Sequence, residues 1–126
     1  MLLETVHTDE RGTIFALNNI GFFDEITMFE TKKGHARGGC VHPNTDEYFC
    51  VLSGMIELVL GNADGTDTIK FMKTGDSTTI TKNTSHYFYS VIDSLVCEWG
   101  PKLEEKNVRD AKYRARVDEI NSKVKK

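Results

Sequence analysis

Arg37-Gly38-Gly39-Cys40-Val41-His42 is followed after four residues by Glu47 and, after six more, by Gly54. A second stretch runs from Gly75 through Thr81 and Asn83 to His86. Side chains alternate faces along a strand, so Cys40 and His42 point the same way, as do His86 and Phe88. Pro43-Asn44-Thr45-Asp46 reads as a turn that breaks the register. Beyond it, Glu47, Phe49 and Val51 can share the inner face. A barrel that brings these strands together converges two imidazoles, a carboxylate and a thiol. That donor mixture suits Zn2+, Fe2+, Ni2+ or Mn2+. Three protein ligands with one open position is the arrangement of catalytic metal sites rather than structural ones.

Working outward, short apolar runs are separated by glycine, asparagine and aspartate. They are Thr13–Leu17, Glu25–Thr31, Tyr48–Leu52, Met55–Leu60, Thr68–Met72, Ser77–Thr81, Tyr87–Ile92 and Leu95–Trp99. Asp9-Glu10-Arg11-Gly12 and Gly61-Asn62-Ala63-Asp64-Gly65 are turn signals between them. Many short strands at near-regular spacing argue for a sandwich or barrel. The last segment changes period: Tyr113, Val117, Ile120 and Val124 recur at steps of four, three and four, one face of a helix. Pro101 marks the break before it. The expected organisation is one domain over residues 1–126, with a barrel over about 8–100 and a helix over about 103–124. The helix stripe and the open sheet edges of a small barrel point to a homodimer.

Composition excludes several classes. The chain has 126 residues, 39% hydrophobic and 28% charged, an ordinary globular mix long enough to bury a core. A formal charge of −3 gives no nucleic-acid footprint, and the only dense basic stretch is Lys123, Lys125 and Lys126, read as a solvated helix end. No apolar run approaches the roughly 20 residues that span a bilayer, and Met1-Leu2-Leu3-Glu4 turns polar at once, unlike a secretory signal. Three cysteines without tight pairing fit a reducing, cytoplasmic setting. Cys50 and Cys97 read as small buried hydrophobes, and His7 and His35 as solvent histidines. Of Tyr87, Phe88 and Tyr89, one ring is expected inside. Gly38-Gly39 reads as a bulge or close backbone approach, because no helix start follows it to make a phosphate cradle.

The two stretches resemble the paired motifs of the cupin superfamily. The first such motif carries two histidines one residue apart, a glutamate and a glycine; the second carries a glycine, a proline-glycine turn and a third histidine. His42, Glu47, Gly54, Gly75 and His86 fall at matching spacings, over roughly residues 35–90. Cys40 stands at the place of the first histidine, and Thr81 and Asn83 at the proline and glycine; asparagine also tolerates a left-handed turn. The resemblance implies an all-β chain, a single cupin (jelly-roll, double-stranded β-helix) barrel with a C-terminal α-helix.

Asp9-Glu10-Arg11-Gly12, Thr31-Lys32-Lys33-Gly34 and Arg37-Gly38-Gly39 are further similar to the cupins that act on dTDP-linked keto-sugars, the 3,4-ketoisomerases and 3,5-epimerases. That likeness implies an isomerase or epimerase of a nucleotide-linked keto-sugar in cell-surface carbohydrate biosynthesis. Arg37 would then face the nucleotide diphosphate or the sugar of a dTDP- or UDP-sugar, His42 would be an acid/base, and His86 would complete the catalytic set. Two departures are visible: one motif histidine where the ketoisomerases have two, and Phe29 where they use tyrosine. Glu47 keeps a ligand carboxylate that a metal-free isomerase does not need. The alternative is therefore a divalent-metal cupin that binds or acts on another small polar ligand, with His42, Glu47, His86 and Cys40 as metal ligands.

Overall fold

The computed structural model describes residues 2–18, 25–100 and 108–124. They form eleven strands and one helix: β1 (Leu2–Asp9), β2 (Gly12–Asn18), β3 (Glu25–Thr31), β4 (Ala36–Val41), β5 (Glu47–Ser53), β6 (Met55–Gly61), β7 (Asp67–Lys73), β8 (Ser77–Ile80), β9 (His86–Ser90), β10 (Ser94–Gly100), β11 (Val108–Arg109) and α1 (Ala111–Val124). The strands make two antiparallel sheets, ordered β1-β2-β3-β10-β5-β8 and β11-β4-β9-β6-β7.

Alternation explains the core between them. Phe49 and Val51 of β5, Val96 of β10 and Ile80 of β8 meet Ile56 and Leu58 of β6, Met72 of β7 and Phe88 of β9, all buried. Phe88 packs edge-on against Phe49 and Phe29, with centroids 5.6 and 6.2 Å apart, a geometry that the ring quadrupoles favour. Of the three adjacent aromatics, Phe88 is thus the inward ring, while Tyr87 joins a second cluster outside the sheet. There Ala36, Val59 and Tyr87 receive Tyr113 and Val117 of α1.

The helix begins at Ala111 rather than at about 103. Val108 and Arg109 pair with Val41 and Cys40 of β4. Asp110 then caps α1, its Oδ1 accepting the Tyr113 backbone N–H at 3.0 Å. Residues 101–107 lie outside the described residues. Asn121 holds the far end of α1 to β4, its Oδ1 accepting Ala36 N–H at 2.8 Å and its Nδ2 donating to Ala36 C=O at 3.0 Å.

Two further differences concern the start of the chain and His35. Leu2–Asp9 is a strand, paired with β2 from Leu2↔Asn18 to Asp9↔Gly12. Its mixed polar sequence hid it, because an edge strand has no continuous apolar face to show. His35 is 5% exposed rather than solvated, and its ring nitrogens have no hydrogen-bond partner among the described residues. Burial, then the nearby Arg11 charge, lowers its pKa, which keeps it neutral. His7, as expected, is exposed, 3.1 Å from Asp9.

Gly38 and Gly39 do form a bulge. The β4–β9 register slips between Gly38↔Tyr87 and Cys40↔His86, with both glycines at positive φ, 116° and 87°. A Cβ on Gly38 would sit 2.8 Å from Tyr87 Cα, and one on Gly39 2.8 Å from the Arg114 backbone of α1. The extra residue changes parity. Arg37 and Cys40, three apart, would face opposite ways on a regular strand; across the bulge both partners, Phe88 and His86, are on the inner face.

Candidate metal centre

His42 follows β4, Glu47 opens β5 and His86 opens β9. Their ligand atoms all lie within 4.8 Å of one another, and each side chain is 5–6% exposed. Glu47 Oε1 is 2.8 Å from His42 Nε2 and 3.3 Å from His86 Nε2. The two imidazoles stack at 5.7 Å with an interplanar angle of 22°. The backbone joins the two motifs directly: Asn83 N–H donates to His42 C=O at 2.8 Å, and Lys82 N–H donates to Asp46 Oδ1 at 2.9 Å. Asn83, at the place of the motif glycine, has φ of 63°, the left-handed turn its residue type tolerates.

This donor set fits a divalent transition metal. His86 Nδ1 is 3.0 Å from Thr84 C=O; as N–H donor it leaves the Nε2 lone pair facing Glu47 and His42. Such a backbone carbonyl behind the ring is the usual support of a metal-bound histidine. Burial is the main cause holding the His86 pKa down to about 4, so at neutral pH the ring is uncharged and free to ligate.

Above the triad lies a cavity of about 200 Å3. Its lining combines apolar Ile14, Phe29, Phe49 and Phe88 with Arg11, Arg37 and Arg114, and with Cys40, Glu98, His42 and His86. Arg37 is 3% exposed. Its Nε donates to Thr31 Oγ1 at 3.0 Å and its Nη2 to Glu30 C=O at 2.7 Å, while Nη1 has no partner among the described residues. Burial lowers the Arg37 pKa to about 10, which leaves it a cation at neutral pH. Arg11 is held by Asp9, its Nε 2.9 Å from Oδ2, and Arg114 donates to Gly38 C=O at 2.9 Å.

The structure thus brings together four of the five expected site residues around one cavity, with Glu47 within 3.3 Å of both histidines. Cys40 lines the cavity but is outside the group of mutually close ligand atoms. Burial, then Glu98, raises its pKa, so it sits there as a neutral thiol rather than a thiolate.

Glu98 escaped the sequence reading. It stands opposite Phe49 of β5 and Thr27 of β3, on the inner face. Burial first, then the neighbouring Glu47 carboxylate, pushes its pKa well up, and the two carboxyls share a hydrogen bond. A signal was present: on strict alternation Glu98 is in phase with Val96 in an otherwise apolar strand. A carboxyl on a core face is rare without a role.

No protein-family model matches this chain, and no curated protein matches it. Solved structures do. The capsular polysaccharide assembling protein CapF from Staphylococcus aureus superimposes with a TM-score of 0.71 at 16% identity, over 82% of this chain and 30% of that one. Oxalate decarboxylase from Bacillus subtilis, a protein with Mn(II) centres, superimposes with a TM-score of 0.70 at 19% identity, over 84% of this chain and 29% of that one. The chain therefore spans under a third of the length of either. What these likenesses establish is the fold: the eleven strands in two antiparallel sheets and one C-terminal helix of the described residues form a single cupin barrel.

Proposed function

We propose that this chain is a divalent-metal cupin that binds, or acts on, a small polar ligand in the cavity above His42, Glu47 and His86. The observation that carries the reading is the convergence of these three donors within 4.8 Å at the buried base of an arginine-lined cavity. Three such groups with no ligand to bind would be costly to bury together. A bound divalent ion would act as a Lewis acid toward a ligand oxygen. The chain's own residues supply the rest. Thr84 C=O fixes the His86 ring, and Arg37 offers a fixed cation. The phenylalanine wall excludes water and strengthens every electrostatic contact inside. Zn, Fe, Ni and Mn all suit this donor set.

A second reading, an isomerase or epimerase of a nucleotide-linked keto-sugar, is favoured by Arg37 on the cavity wall and by the likeness to CapF. Here a neutral imidazole, His42 or His86, would remove the proton next to the sugar carbonyl, and Arg37 would stabilise the enediolate oxygen. We also propose a homodimer, supported by the edge strand β7, where Phe71 and Ile69 are 74% and 50% exposed. Light scattering that returns a monomer mass at micromolar concentration would exclude it.

Metal analysis of the purified protein, beside titration of the chelated protein with dTDP and UDP, tests these readings. Stoichiometric metal that is lost on His86→Ala supports the metal cupin. A metal-free chain that binds dTDP or UDP overturns it in favour of the sugar reading, and absence of both removes both.

A further inference from the structure

The sequence reads Cys50 and Cys97 as inert core thiols, but the register gives them a different relationship. They are direct Cα partners on neighbouring antiparallel strands, β5 and β10. Both are free thiols; Cys97 is 7% exposed and Cys50 half-buried. Their rung lies on the outer face of the sheet, since the residues before and after, Phe49 and Val51, point into the core. On the same face, the neighbouring rung stacks Tyr48 on Trp99, with centroids 5.6 Å apart and an interplanar angle of 17°. That aromatic clamp pins the register that sets the two sulfurs side by side.

Direct antiparallel partners have Cα atoms roughly 4.5 or 5.5 Å apart, according to their place in the ladder. Both values lie inside the roughly 4.4–6.8 Å range that disulfides occupy. The third thiol, Cys40, lies on the other side of this sheet, in the cavity.

We propose that Cys50 and Cys97 form a reversible thiol–disulfide pair in the cavity wall, oxidised by hydrogen peroxide or an organic peroxide. The Cys50 sulfur, the more accessible, attacks the O–O bond; that bond breaks, an S–O bond forms, and water or an alcohol leaves. The Cys97 sulfur then attacks the sulfenic sulfur, the S–O bond breaks and a second water leaves. Two thiols and one peroxide give one disulfide and two oxygen-bearing leaving groups, and the peroxide is the species reduced. Burial, then the adjacent Cys50, raises the Cys97 thiol to about 11. The closing step therefore quickens as the pH rises.

The bond would act on the cavity as well as on the sulfurs. Cross-strand Cβ atoms stand about 4.5–5.5 Å apart, and a disulfide draws them to about 3.8 Å. The inward neighbours of this rung are Phe49 and Glu98, both of which line the cavity. A contraction of up to about 1.7 Å is thus applied next to two residues that line the cavity. A bond closed against such a spacing is readily reduced.

The test is peroxide treatment of the full chain, followed by intact mass and peptide mapping. The expected result is a loss of about 2 Da, a Cys50–Cys97 cross-linked peptide, and full reversal by dithiothreitol. Cys40→Ser retains the cross-link; Cys50→Ser and Cys97→Ser each abolish it. Should a serine variant fail to fold, peptide mapping of the unsubstituted chain still decides. Peroxide that leaves Cys50 and Cys97 unlinked as sulfinic acids, or a cross-link through Cys40, overturns the proposal.

Discussion

His86 makes the folded, metal-free protein acid-sensitive in a defined window. Its pKa is about 4 in the fold against 6.5 for an ordinary histidine. Between those values the unfolded chain holds a proton that the folded chain refuses. Stability is therefore fully present above about pH 6.5 and is lost as the pH falls toward 4. One proton is worth about 1.36 kcal/mol per pH unit, so the whole window amounts to about 3 kcal/mol. At 6% exposure the ring needs no discount for solvent screening. Other groups titrate too, and Glu98 has the opposite sign: its raised pKa adds stability at low pH that disappears as the pH rises. The comparison must therefore be with His86→Gln, which removes one term and leaves the rest. In urea unfolding with chelator present, the stability of the parent relative to His86→Gln should fall by about 2 kcal/mol from pH 7 to pH 5. A difference that stays flat across that interval, or grows as the pH drops, would refute the argument that burial keeps this ring neutral.

Four other substitutions bear on the site and its supports. His42→Asn should remove bound metal and lower Tm if His42 is a ligand; if it is the acid/base of an isomerase, turnover should fall by about 10²–10⁴ with ligand binding intact. Cys40→His restores the first motif histidine, so metal content measured by mass spectrometry should be at least as high as in the parent. Gly39→Ala should cost about 2 kcal/mol or more in chemical denaturation, through a positive φ and a Cβ 2.8 Å from the Arg114 backbone. Val117→Ala, at a fully buried position on α1, should cost about 2 kcal/mol by the same measurement.

The convergence of the three donors was legible because motif spacing and strand parity are local. Glu47, Phe49 and Val51 share their inner face as alternation requires. What escaped depends on partners distant in the chain. Arg37 faces inward with Cys40 only because a bulge intervenes, and a glycine pair marks a bulge without stating which way it turns parity. Glu98 became a site residue only when β10 was laid beside β5, forty-odd positions earlier. His35 is buried where the β3–β4 turn pairs with the end of β9, its C=O accepting the Ser90 N–H at 2.9 Å, and no periodicity reports that. The helix start was set by Asp110 and the short pairing of β11, which the apolar stripe, beginning only at Tyr113, does not report.

The bare backbone of Gly39 against α1 also has a consequence for the order of events in folding. Its partner, Arg114, lies about 75 positions downstream, and β5 meets β10 across about 47. Loops of that length close late, after the hairpins have formed. Until β11 and α1 arrive together, β4 is held on one side only, by β9. The strand that leads into His42 is then among the last to become rigid. Metal offered early in refolding would meet histidines not yet brought together, and should leave the slow phase unaccelerated. If the proposed metal binds here, the same ion added after α1 has docked would bind in a single fast step.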